Sequence, residues 1–183
     1  DDVRCVVLLV DEVDGCFETD AEMFDVCLAR DLDIPQWQHF SMKYNILELN
    51  TAVKPYFLRH LFEHYSADQI IYFDPDIQVF HPLTDMMRLL RTHTVVLTPH
   101  LLTSLPTDGK KPDNLTIRQS GVYNLGFFAI SRRAPYREIL QWWQERLYTQ
   151  CVVDLEAGIF VDQSWMDLLP TIFDSVFISR EAS

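Results

Sequence analysis

Two carboxylates two residues apart, Asp74 and Asp76, stand directly after the apolar run Ile70-Ile71-Tyr72-Phe73. In extended chain, residues i and i+2 point to the same side, so the pair can converge. Pro75 between them fixes its own φ and has no N–H, which stiffens the turn. Converging carboxylates repel each other unless a positive charge lies between them. A hard divalent cation, Mg²⁺ or Mn²⁺, meets that need and keeps open positions for phosphate oxygens. Such an ion would stabilise negative charge on a departing nucleoside diphosphate. The spacing alone is a weak signal, because Asp31-Leu32-Asp33 repeats it and reads as a helix-end turn. What sets the second copy apart is its place at the end of a strand.

Several elements must position that pair. Residues 3–10 form an apolar run with the length and β-branching of a strand buried on both faces. Residues 21–32 read as a helix stopped before Pro35, and 38–49 as a second, weakly patterned one. Pro55 suits the first turn of a helix running to Tyr65. Strands are predicted over 69–73, 77–80, 94–97, 123–131 and 175–178. Helices are predicted after Pro82, after Pro135 and over 162–169, with 101–120 as a long polar loop. The alternation predicts an α/β fold, a sandwich with a mostly parallel central sheet. Ligands of such sheets sit at the carboxyl ends of the strands, so the residues just after each strand are the candidates for chemistry.

With 48% hydrophobic residues, the 183-residue chain is expected to bury a core as a single domain, residues 1–183. Its net charge of −12 repels nucleic acid and anionic lipid, so no nucleic-acid partner is expected. A phosphorylated substrate then needs a local cation. No apolar run approaches membrane-spanning length, and no signal-peptide pattern is visible. Cys5, Cys16, Cys27 and Cys151 form no CxxC pair, which predicts free thiols and a cytoplasmic location. Asn114-Leu115-Thr116 fits the N-glycosylation pattern, a match common by chance.

The segment Ile70-Ile71-Tyr72-Phe73-Asp74-Pro75-Asp76 resembles the DxD segment of glycosyltransferases with the GT-A fold. The likeness extends to Asn50-Thr51-Ala52-Val53-Lys54-Pro55 before it, and to Val96-Leu97-Thr98-Pro99-His100, Gly121-Val122-Tyr123-Asn124-Leu125-Gly126-Phe127 and Phe160-Val161-Asp162-Gln163-Ser164-Trp165 after it. In that order the motifs resemble a bacterial family of predicted glycosyltransferases distantly similar to the retaining family 8 enzymes. The resemblance implies a GT-A-like three-layer sandwich and a UDP- or GDP-sugar donor, with an unspecified glycan, lipid or protein as acceptor. It implies that Asp76 binds the metal and that Asp74 contacts the metal or the sugar-nucleotide. It places Asn124 beside the donor sugar, with Gly126 allowing close approach, and Asp162 and Gln163 near the reacting carbon as the catalytic pair.

Other residues carry two readings. Lys54 opposes the helix dipole at a helix start, so it either binds donor phosphate there or is a surface lysine. His100 either faces the cleft or is a satisfied structural histidine. Glu48 is more simply a solvated helix carboxylate than a group orienting acceptor or Lys54. Asp11 lies at a strand end, as ligand-edge residue or surface cap. Trp142 and Trp143 are mainly packing. Asp162 can equally be a helix N-cap, with Gln163 an ordinary first-turn residue.

The family pattern is departed from twice. GT-A enzymes usually begin with a strand whose following loop holds the base, and this chain is expected to lack that first strand. Family 8-like enzymes also draw a third metal ligand, a histidine, from the C-terminal region, and none follows the Asp-Gln motif here. Both departures leave room for further domains in the full-length protein and for an isolated chain that is inactive. Two alternatives follow: a truncated or degenerate domain that binds sugar-nucleotide without catalysis, and a phosphatase of the haloacid dehalogenase type with Asp74 as nucleophile. The latter usually continues Gly-Thr, whereas this chain continues Ile77-Gln78.

Overall fold

The computed structural model describes residues 3–13, 15 and 22–180. The first strand is β1 (Val6–Leu9), and Val7 is exposed, so it is not covered on both faces as expected. The expected helix over 21–32 is corrected. Its described part is strand β2 (Asp25–Leu28) and a 3-10 turn (Ala29–Asp31), while Ala21 and Cys16 lie outside the described residues. Phe24 and Leu28 have helical spacing, yet Val26 and Leu28 also alternate, and parallel pairing of β2 with β1 decides between the two.

The expected helix over 38–49 divides into α1 (Trp37–Ser41) and α2 (Ile46–Ala52). Asn45 starts α2 through a capping box: its side chain accepts from the Glu48 N–H at 3.0 Å, and its own N–H donates to Glu48 Oε2 at 3.1 Å. Helix α3 (Lys54–His64) follows, then β3 (Gln69–Phe73). No strand forms over 77–80; these residues are exposed. After them come α4 (Thr84–Leu89) and β4 (Val95–Leu97). The expected loop over 101–120 contains α5 (Asn114–Ser120), capped by Asp113, whose Oδ1 accepts from the Thr116 N–H at 2.8 Å. Asn114-Leu115-Thr116 is the first turn of that helix. Strand β5 (Phe127–Ser131) is shorter than expected, because 121–126 form a connecting loop. The remainder is α6 (Tyr136–Gln150), the hairpin β6 (Val153–Asp154) and β7 (Ile159–Phe160), α7 (Gln163–Met166), α8 (Leu169–Ile172) and β8 (Val176–Ile178).

The four-stranded sheet has the order β3-β5-β4-β8. β5 runs antiparallel to both β3 and β4, and β4 is parallel to β8. The expectation of a mostly parallel sheet is therefore corrected to a mixed one. β3, β4 and β8 share a direction, but the chain turns back after β4 and inserts β5 between β3 and β4. Alternation along the strands divides the core. Ile70, Val95, Leu97, Phe128 and Ile130 pack with α3 and α6 residues such as Phe57, Leu58, Leu140 and Trp143. Val96 and Ala129 pack on the opposite face with Leu90, Met86 and Leu89. The class is α/β, with helices on both faces of the sheet. Among the described residues no helix is long and apolar enough to cross a membrane.

Candidate functional site

Because β5 runs against its neighbours, its first residue meets the last residues of β3 and β4. Phe127 pairs with Phe73. Beyond that register, the Asp74 N–H donates to Gly126 O at 2.8 Å, and the Asn124 N–H donates to Thr98 O at 2.9 Å. One sheet edge thus gathers Asp74, Thr98, Asn124 and Gly126 from three separate stretches of sequence. The Asn124 side chain bends back to accept from the Gly126 N–H at 2.9 Å. A Cβ on Gly126 would lie 3.0 Å from Asn124 Oδ1, 3.1 Å from Ile77 Cδ1 and 3.3 Å from Asp74 Oδ2, so the absence of a side chain lets these three groups pack closely there.

Asp74 is held firmly on one oxygen. The Tyr72 hydroxyl donates to Oδ1 at 2.7 Å, and Lys54 Nζ lies 3.3 Å from the same atom. Among the described residues Oδ2 accepts no hydrogen bond. Asp76 is exposed at the turn. The Tyr72 phenol is pushed far above its usual range by burial, then by its bond to Asp74, with the charges of Asp74, Asp162 and Asp76 adding to the effect. The i, i+2 rule that pairs Asp74 with Asp76 also pairs Tyr72 with Asp74, a relation the sequence reading missed.

Lys54 sits behind this edge, 6% exposed, at the first position of α3. Its ammonium donates to Leu125 O at 3.1 Å and reaches Asp74 Oδ1 at 3.3 Å and Asp162 Oδ2 at 3.5 Å. It also lies 4.9 Å from the centre of the Tyr72 ring. Three N–H groups face three oxygens, so the structure places Lys54 as an internal counter-charge at the helix start, not as a surface lysine. Its position against the helix dipole is offset by these two carboxylates.

Asp162 lies deeper still, 1% exposed, immediately before α7. Its side chain makes no capping hydrogen bond, so the N-cap reading does not hold. Oδ2 forms the long ion pair with Lys54 and has no hydrogen bond of good geometry. Val161 before it has φ of +41°, a left-handed conformation that is strained for a β-branched residue. Gln163 donates through Nε2 to Ser120 O at 2.9 Å, and its Oε1 lies 3.5 Å from the Leu125 N–H. Its amide ties the end of α5 to the approach of β5. Asp162 and Gln163 are thus assembled around Lys54 and the 121–126 loop.

Burial pushes the Asp162 carboxyl up to about 6; Lys54 pulls it down, and the charge of Asp74 raises it. The folded protein therefore binds this proton more tightly than the unfolded chain, where the ordinary value is 3.8. The stabilisation linked to protonated Asp162 is fully present below the unfolded value and is lost as pH rises from about 4 through about 6. The change is on the order of 2 to 3 kcal/mol. Urea unfolding of wild type and Asp162→Asn across that window should differ by this slope. Identical slopes would show that Asp162 is not the titrating group.

The remaining candidates make local contacts. His100 donates its backbone N–H to Val122 O at 2.9 Å and holds Nδ1 3.0 Å from Gly121 O, bracing the loop. Asp167 accepts from the Val122 N–H at 2.9 Å; burial raises its carboxyl, while that bond and the charge of His100 oppose the rise. Glu48 is partly exposed, as a solvated helix carboxylate would be, and is not directed at Lys54; it also closes the α2 capping box and accepts from the Val153 N–H at 3.1 Å. Asp11 accepts from the neighbouring Glu12 N–H in an exposed turn. Trp143 is fully buried against Phe128, and Trp142 packs edge-on against Phe173.

The donor set fits a hard divalent cation bound in part by substrate: an open Asp74 oxygen and an exposed Asp76 carboxylate, backed by one lysine against three acids. Magnesium-type ions are commonly held by one or two carboxylates plus phosphate oxygens. Among the described residues, no group of three or more His, Cys, Asp or Glu side chains is placed to hold a metal. A cavity of about 350 Å³ lies at the far end of the sheet, where β3 begins and β5 ends, beside Gln69, Ser131 and Arg132. It is remote from the acidic edge.

Compared with known proteins, the chain matches no protein-family model and no solved structure. It is similar to the uncharacterized protein YfnF of Bacillus subtilis (strain 168), at 27% identity over 111 residues. That match covers 61% of this chain and 34% of the relative, so the chain spans about a third of the relative's length.

Proposed function

We propose that this chain is a GT-A-like glycosyltransferase domain that moves a sugar from a nucleoside-diphosphate donor to an acceptor. The observation that carries the reading is the acidic edge. Asp74 and Asp76 leave β3 where β4 ends and β5 begins, the end of an α/β sheet at which ligands bind. Asp76 and the open oxygen of Asp74 would hold Mn²⁺ or Mg²⁺, which when bound supplies positive charge to the departing diphosphate. Tyr72 and Lys54 fix the Asp74 carboxylate through Oδ1, which leaves Oδ2 for the ion. Asn124 and Gly126 border the donor sugar, the glycine letting the Asn124 and Asp74 side chains approach each other there. Asp162 and Gln163 act by holding Lys54 and the 121–126 loop in place.

The donor is a UDP- or GDP-sugar and the acceptor a glycan, lipid or protein. Nucleic acid is disfavoured by the net charge of −12. A cytoplasmic setting belongs to the same reading, supported by the buried free thiols of Cys27 and Cys151. A second reading, binding of donor without turnover, is favoured by Lys54: an internal cation already neutralises part of the acidic cluster.

Asp76→Ala tests the assignment, since Asp76 is exposed and its removal leaves the core untouched. The variant should bind UDP or GDP with Mn²⁺ at least about tenfold more weakly than wild type, the loss of one charged contact. Calorimetric titration with and without Mn²⁺ measures this, and unchanged metal-dependent binding would refute the role. Transfer or hydrolysis of a donor sugar by the wild type then separates turnover from binding alone.

A further inference from the structure

Helix α3 carries a second constellation, at its opposite end from Lys54. His60 and His64 are one turn apart on the same helical face. Their rings stack with centroids 4.0 Å apart and planes inclined by 18°. His64 Nδ1 lies 3.1 Å from His60 O. A carbonyl can only accept, so Nδ1 carries the proton and Nε2 keeps its lone pair. Donation of one ring N–H to a backbone carbonyl, with the other nitrogen left free, is how metal-ligating histidines are usually oriented.

We propose that His60 and His64 form a binding site for a borderline divalent transition metal, of the Zn²⁺, Ni²⁺ or Cu²⁺ class, separate from the acidic edge. Imidazole nitrogen suits these ions, whereas Mg²⁺ and Mn²⁺ favour oxygen. The i, i+4 spacing lets both Nε2 atoms reach one ion after a modest turn of the stacked rings. Glu63, Asp33 and Asp31 place negative charge toward His60, while Arg59 is occupied by Glu63 and by Asp33 O. Among the described residues no third protein ligand is in place, so water completes the coordination. A metal there clamps the last turn of the helix whose first residue holds Asp74 and Asp162.

Titration of the whole chain with Ni²⁺ alone, followed by calorimetry and by the imidazole proton signals, tests the site. Wild type should bind one ion through both rings. His60→Ala and His64→Ala should each weaken binding by at least about tenfold, because the second ligand no longer acts at high effective concentration. Asp76→Ala should leave the Ni²⁺ binding reported by the imidazole signals unchanged, so failure at one site is distinguishable from failure at the other. Equal affinity of wild type and both variants, or displacement of Ni²⁺ by equimolar Mg²⁺, would overturn the proposal. If His60→Ala does not fold, His64→Ala at its exposed position carries the test.

Discussion

Lys54→Met is expected to lower the free energy of unfolding by about 3 to 5 kcal/mol at neutral pH. Methionine preserves most of the side chain's length and packing, so the loss isolates the charge. Removing the ammonium leaves the buried Asp162 carboxylate without its counter-ion, and breaking one half of a buried pair is far more harmful than replacing both halves. The double variant Lys54→Met with Asp162→Asn should therefore recover a large part of the loss. Acidification should also shrink the defect of the single variant, because protonating Asp162 removes the stranded charge. Urea unfolding of the single and double variants forms the required cycle. A loss below about 1 kcal/mol, the scale of an exposed ion pair, would show that Lys54 is not the internal counter-charge.

Gly121→Ala should lose about 3 kcal/mol or more, from two sources that add. Gly121 has φ of +98° and ψ of 142°, close to a region that is essentially glycine-only and costs other residues about 1 to 3 kcal/mol. An added Cβ would also lie 2.7 Å from the backbone carbon of Gln163 and 2.9 Å from its oxygen. Backbone cannot swing aside as a side-chain tip can, so α7 must shift, at about 1 to 3 kcal/mol. Gly109→Ala is the control. It too has positive φ, +77°, but open space around it, and should show the conformational cost alone, about 1 to 2 kcal/mol. Thermal unfolding of both variants compares the two; equal losses would remove the packing contribution assigned to Gly121.

Strong local pattern and long-range pairing explain which parts of the fold were readable. Helix α6 is announced by Ile139, Leu140, Trp143 and Leu147 at helical spacing, and all four are buried in the core. Strand β3 is a short run rich in β-branched and aromatic residues, Ile70, Ile71, Tyr72 and Phe73, the composition that favours a strand. By contrast, 25–28 satisfies both periods, and only β1, nearly twenty residues earlier, selects the strand. Helix α5 has little apolar pattern, Leu115 and Ile117 alone among polar residues; its cap, Asp113, is the available signal. The reversed direction of β5 has no local signature at all.

The site divides in the same way. Asp74 and Asp76 were legible because their spacing and strand context are local. Lys54 was singled out for its odd place at a helix start, but its partners are 20 and 108 residues away, and only folding reveals that it faces inward. The capping role of Glu48 has no sequence signal in the run over 38–49, because an i, i+3 box needs the helix to begin at Ile46, a boundary that this run does not mark.

The most direct test of the acidic edge is a crystal of the protein grown with Mn²⁺ and a mixture of UDP and GDP, recorded at a wavelength where manganese scatters anomalously. The account predicts an anomalous peak at about 2.2 Å from carboxylate oxygens of Asp76 and Asp74, with diphosphate density completing the coordination. A diphosphate bound elsewhere, or one bound at this edge with no manganese beside Asp76, would contradict it.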